Sequence, residues 1–180
     1  MAGESSTLPK SRARIALRRG IAPFAFAGRI SSLACYHPVM LDEIRSAPRE
    51  LNLVEGSLAI WIVRPGLVFT QGKGRFVMAH AEQIMASVEA AARAAPGDAA
   101  AGHDWLAVEG YEVAVQARMT PWSVTIARSM RRIVIGVRSP LVALAVRTVN
   151  LAVGGRFEVL ADAARLHAAA RDELRRPWAP

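Results

Sequence analysis

The residues of this chain with types suited to chemistry are four histidines, one cysteine and a few serines and lysines at glycine- or proline-marked turns. The histidines are His37, His80, His103 and His167, and none stands at i, i+4 from another ligand, so no helical metal site is indicated. His103-Asp104 could offer an imidazole and a carboxylate to one ion, but two neighbours are too few to hold it, and the pair reads as the start of a strand. Gly72-Lys73-Gly74 lacks the spacing of a phosphate loop and has no Ser or Thr after its lysine, so it reads as a turn leading into a helix. Ser139 sits on a strand-to-helix turn, yet Arg138-Ser139-Pro140 lacks the flanking glycines of a nucleophile elbow. Its expected role is a helix N-cap. Arg131/Arg132 and Arg175/Arg176 could hold an anion. The bland alternative is solvated ends, and Arg175 and Arg176 near a helix C-terminus suit the dipole there. No catalytic constellation assembles from these residues, and no metal or cofactor is expected.

The elements that must position them centre on 132–160. RIVIGV is a short β-branched run of the kind buried on both faces of a parallel sheet. Ser139 and Pro140 then suit the N-cap and first turn of a helix over LVALAVRTVNLAV. Gly154-Gly155 ends that helix, because glycine takes the left-handed conformation of the position after a C-cap without strain. RFEVL alternates as a second strand, and Asp162 caps a last helix that Pro177 stops. The segment is thus a complete βαβ unit.

Upstream, Leu58–Val63 and Leu67–Thr70 flank Arg64-Pro65-Gly66, the residues of a type II turn, so they form a hairpin. Val77 to Ala94 is an amphipathic helix with Val77, Ala81, Ile84, Met85, Val88 and Ala92 on one face and His80 off it. His103 to Val108 is a strand with Trp105 and Leu106 in the core. A helical region from Tyr111 is broken at Thr120-Pro121, where a new helix is capped. The order β-β-α-β-α-β-α-β-α predicts an α/β fold. Its sheet is mixed and mostly parallel, opened by a β-hairpin and covered by about four helices. Val134, Ile135, Val137, Leu144, Val149 and Leu151 are the expected core, so Leu144→Ala should cost about 2–5 kcal/mol.

The 180 residues carry a formal charge of +8, with 52% hydrophobic and 21% charged residues. The charge is uneven. Residues 1–49 hold eight Lys/Arg against three Asp/Glu, a balance of +5, and the rest hold 15 against 12, a balance of +3. The chain therefore divides into a basic, flexible extension, 1–49, and a folded domain, 50–180. Residues 1–20 are polar, small and basic. The apolar stretch after them is short and broken by Pro23, and Arg29 follows it, which argues against an export signal. Cys35 as a lone cysteine excludes an internal disulfide framework and a multi-cysteine zinc site, so the expected location is the cytoplasm. The basic extension could attract an anionic lipid surface; nucleic acid is not the expected partner. No apolar run reaches the roughly 18 residues of a membrane span, since Arg147 and Asn150 interrupt 141–153.

The opening hairpin, GRFVMAHAEQIMASVEAA, HDWLAVEGY, RRIVIGVRSPLVALAVRTVNLAVGG and RFEVLAD together resemble the STAS fold over Leu58 to Leu174, in particular the SpoIIAA-like (STAS/SEC14-like) bacterial proteins. The resemblance implies a non-enzymatic regulatory module that binds a partner protein. In some such proteins a serine at the helix start after the third strand is phosphorylated to control anti-sigma factors. Here that place falls at Glu109-Gly110-Tyr111-Glu112, which has no Ser or Thr. The candidate interaction surface is Glu109, Tyr111, Glu112, Arg138 and Ser139. The alternative implied by the SEC14-like side is a module that binds lipid or an anionic membrane surface. The two readings part at the helix over 141–153: a filled core beneath it favours the partner protein, an apolar cavity the lipid.

Overall fold

A computed structural model describes Ile44 and residues 46–177. The readings made for Cys35, His37 and most of the basic extension lie outside the described residues. Among the described residues one sheet carries six strands in sequential order. They are β1 (Arg49–Asn52), β2 (Gly56–Arg64), β3 (Leu67–Phe76), β4 (Ala99–Tyr111), β5 (Met130–Val137) and β6 (Phe157–Leu160). The pairs β1–β2 and β2–β3 are antiparallel, and β3–β4, β4–β5 and β5–β6 are parallel. Four helices intervene or follow: α1 (Met78–Ala94), α2 (Val113–Ile126), α3 (Pro140–Ala152) and α4 (Ala163–Arg175).

Sequential order decides where the helices go. Each parallel crossover moves one strand along, and crossovers of one hand leave their helices on one face. Ile84 and Val88 of α1, Ile126 of α2, and Val142, Val146 and Val149 of α3 accordingly share one core with Ile60, Val68, Trp105 and Ile135. The other face is covered by α4, through Leu166 and Ala169 against Leu106 and Val134. Ala170 and Ile44 pack there with Trp61, Leu67 and Phe69.

The mixed sheet, its opening hairpin and the βαβ unit stand as the sequence predicts. Gly154 and Gly155 take φ of 70° and 76° at the end of α3, and the Asp162 side chain accepts the Arg165 N–H at 2.8 Å. Several local readings are corrected. The hairpin gains a third antiparallel strand, β1, whose four residues show no alternation to read. Gly72-Lys73-Gly74 lies within β3 rather than in a turn. There the register slips between Gly74 and Arg75. Gly74 has φ 77°, and a Cβ on it would come within 2.7 Å of the Glu55 carbonyl oxygen. Thr120-Pro121 does not break α2, which runs through Pro121. Pro121 is exposed, as is Ala117, whose carbonyl the missing N–H leaves free, and water can serve that carbonyl. His80 is buried, not solvated. Its ring reaches back so that Nδ1 accepts the Val77 N–H at 3.2 Å, which secures the first turn of α1.

The largest correction concerns α3. Val134, Ile135, Val137 and Val149 are buried as expected, but Leu144 and Leu151 are 66% and 83% exposed. The helix buries Val142, Val146 and Val149 instead. Apolar residues cover most of α3, but Arg147 stands three and four residues from Leu144 and Leu151 and marks their side as the outer face.

Candidate functional site

The layer of α1, α2 and α3 does not close fully on the sheet. A cavity of about 90 Å³ remains between them. Its floor is β4 and β5, which supply His103, Trp105, Ile133 and Ile135. Ile84 and Val88 of α1 form one wall, and Val115, Met119 and Trp122 of α2 a second. Val142, Val146 and Val149 of α3 form the third. The period of two in a strand puts His103 and Trp105 on the same face, and β-branched residues keep the floor apolar.

Several polar groups along it are paired with one another. The Tyr111 hydroxyl donates to Gln116 Oε1 at 3.1 Å, and Trp122 Nε1 donates to Glu89 Oε1 at 2.9 Å. Thr70, which pairs with His103 across β3 and β4, joins two rings. Its Oγ1 lies 2.8 Å from His103 Nδ1 and accepts the Trp105 Nε1–H at 3.2 Å. The rings stack in a row, His103 on Trp105 at 4.8 Å and Trp105 edge-on to Phe76 at 5.4 Å. Burial pushes the His103 ring down to about 4, so it is neutral near pH 7.

The structure separates the residues that the sequence singled out. His103 and Asp104 do not converge, because neighbours along a strand point to opposite faces. Asp104 accepts the Leu106 N–H at 3.2 Å and the Gln71 amide at 3.3 Å. Among the described residues no group of three His, Cys, Asp or Glu could hold a metal ion. Glu109 and Tyr111 end β4, Glu112 opens α2, and Arg138 and Ser139 follow β5, so these five share the rim at the carboxyl ends of β4 and β5. Ser139 is the N-cap residue of α3, but its side chain does not cap. Its hydroxyl donates to the Glu109 carbonyl at 2.8 Å and ties the two strand ends together. Of the five, Tyr111 lines the cavity.

At the opposite end of β5, Arg131 and Arg132 are not solvated ends. Both grip Glu173 of α4, with Arg132 at 3.1 Å. Arg131 also pairs with Asp98 at 2.9 Å and Arg132 with Glu158 at 2.6 Å. Arg176 reaches Asp98 at 3.4 Å. This network fastens α4 to the sheet.

Sequence reasoning missed the Thr70–His103–Trp105 group. The spacing of His103 and Trp105 puts them on one face, but Thr70 joins them only through the register of β3 on β4. A continuous sheet with three crossover helices on one face and a single closing helix on the other defines a SpoIIAA-like α/β fold. Among solved structures, the chain is similar to the crystal structure of an uncharacterised protein of the DUF3478 family with a SpoIIAA-like fold, from Shewanella loihica PV-4. The likeness covers 69% of this chain and 98% of that one, with 19% identity and a TM-score of 0.51. No protein-family model matches the chain, and the search of curated proteins returns no match. Among the described residues no helix is long and apolar enough to cross a membrane.

Proposed function

We propose that this chain is a non-enzymatic binding module that takes a lipid-like apolar ligand between its three-helix layer and its sheet. The observation that carries this reading is the apolar cavity under α3. Concave, mostly apolar pockets with a few placed polar groups are the usual form of a small-molecule site. On the scale where one water takes about 10–15 Å³, the space holds roughly six to nine non-hydrogen atoms, a ring or a short chain segment. The outer face of α3 suits delivery from a membrane. Leu141, Leu144 and Leu151 are exposed there, with exposed Arg138 and Arg147 nearby in sequence. Leucines beside arginines suit the boundary of an anionic bilayer.

The same exposed leucines favour a second reading, in which α3 docks on a partner protein. The test of the first is organic extraction and mass spectrometry of protein purified from its own cells. The expected result is a stoichiometric apolar compound in the wild type that Val146→Phe, which fills the cavity, does not retain. Equal recovery from both proteins, or from neither, refutes the ligand reading.

A further inference from the structure

Among the polar groups that line this cavity, His103 is held in a hydrogen-bonded network. Trp105 Nε1–H can only donate, so at 3.2 Å it makes Thr70 Oγ1 an acceptor. Thr70 Oγ1 could accept a second bond, but its own proton has no other acceptor among the described residues, and pairing that proton assigns it to His103 Nδ1, 2.8 Å away. With Nδ1 accepting, the neutral ring carries its proton on Nε2. That N–H has no protein acceptor among the described residues, although His103 is only 4% exposed and lines the cavity. His103 Nε2 is not one of the fully buried atoms without a partner, so it keeps open surface, and a ligand that covers it without accepting from it loses free energy that an acceptor atom would retain. Thr120 and Ser123 add hydroxyls on the α2 wall, which can turn either way. His103 is the group that the network with Thr70 and Trp105 holds in place.

The charge of the ligand follows from the same lining. Among the described residues no Lys or Arg borders the cavity, and burial keeps His103 uncharged near pH 7. A carboxylate or phosphate placed there would be buried without a counter-charge. We propose that the ligand is a neutral apolar carbonyl compound (a ketone, ester or aldehyde) whose oxygen accepts the hydrogen bond from His103 Nε2. This rests on the ligand reading above and names the chemistry of its site.

A pair of probes matched in shape tests it on the full chain: acetophenone, and α-methylstyrene, in which the carbonyl oxygen is replaced by a CH2 group. Both are expected to bind the wild type. His103→Phe, which keeps an aromatic ring against Trp105, is expected to weaken acetophenone by about fivefold or more relative to α-methylstyrene, because the buried oxygen loses its donor. In wild-type protein the Nε2–H resonance of His103 is expected to move downfield with acetophenone and not with α-methylstyrene. This second measurement decides the matter if the variant fails to fold. If both probes bind and neither the affinity ratio nor the resonance distinguishes them, the His103 assignment is overturned while the cavity reading stands. If neither probe binds, both are overturned.

Discussion

Glu173→Gln removes one negative charge from the centre of the network that joins α4 to β5, and its consequences can be worked out closely. The Glu173 side chain is 7% exposed, and it lies between Arg131 and Arg132, themselves 22% and 28% exposed. Breaking a buried ion pair by removing one partner costs about 3–5 kcal/mol. Here each arginine retains a second carboxylate, Asp98 for Arg131 and Glu158 for Arg132, so neither is left as an unpaired buried charge. We therefore expect a loss of roughly 2 kcal/mol, near half the full penalty. For an ordered domain of this size that is roughly 6–10 °C in Tm. The pH dependence gives the sharper test. Burial alone would raise the Glu173 carboxyl, but hydrogen bonds and charge from Arg131 and Arg132 outweigh it and hold the group below its ordinary value of 4.5. A carboxyl with a depressed folded value contributes stability that is complete above the unfolded value and is lost as pH falls through the folded one. Once protonated, Glu173 resembles the glutamine that replaces it. The gap between wild type and variant should thus be full near pH 7, shrink as pH drops below about 4.5 and close in stronger acid. Urea titrations of both proteins across this range measure it. A gap that stays constant with pH, or a variant as stable as wild type at pH 7, would refute the account of this network.

Two further substitutions test the packing. Leu144→Ala should shift stability by no more than about 0.5 kcal/mol, because the side chain faces solvent. Val149→Ala should cost about 1.5–2.5 kcal/mol for two buried methyl groups, and urea midpoints that reverse this order would mean that α3 is rotated. Gly136→Ala places a Cβ within 2.4 Å of Leu166 Cδ2 and 3.3 Å of Leu106 Cγ. Since Leu166 is fully buried in α4, the change should cost about 1–3 kcal/mol, read as a lower Tm with the α-helical signal retained below the transition.

What could be read from the sequence was what local chemistry determines. A β-branched run between Arg132 and Arg138, a Ser-Pro start and a Gly-Gly stop leave little choice for β5, α3 and the turn after it. Pro65-Gly66 likewise sets the hairpin. What escaped reading depends on partners distant along the chain. Strand β1 has four residues and exists because β2 offers an edge. His80 was assigned to the polar face of α1 by its type, but its ring is buried against Phe76, 5.4 Å between centroids. Pro121 ends helices when the surroundings are dry and does not end α2, which faces water there. Ser139 has the type and place of a cap, yet its hydroxyl donates to the Glu109 carbonyl at the end of β4 and caps nothing.

The cavity itself could not be read from sequence, because every residue lining α3 and β5 is one that a filled core would also use. Its energetic meaning is nonetheless definite. At about 24 cal/mol per Å³, a void of 90 Å³ forgoes roughly 2 kcal/mol that tighter packing would supply. A larger side chain at Ala145 or Val146 could recover part of that, so the sequence carries a cost that a single substitution would reduce. The cost lies next to α2, which buries only Val115, Ser123 and Ile126 over fourteen residues and carries Pro121 within it. A ligand that fills the void returns those lost contacts and, through His103, satisfies a buried donor at the same time. An inert core has no use for an apolar space and an unanswered N–H side by side, and a binding site uses both.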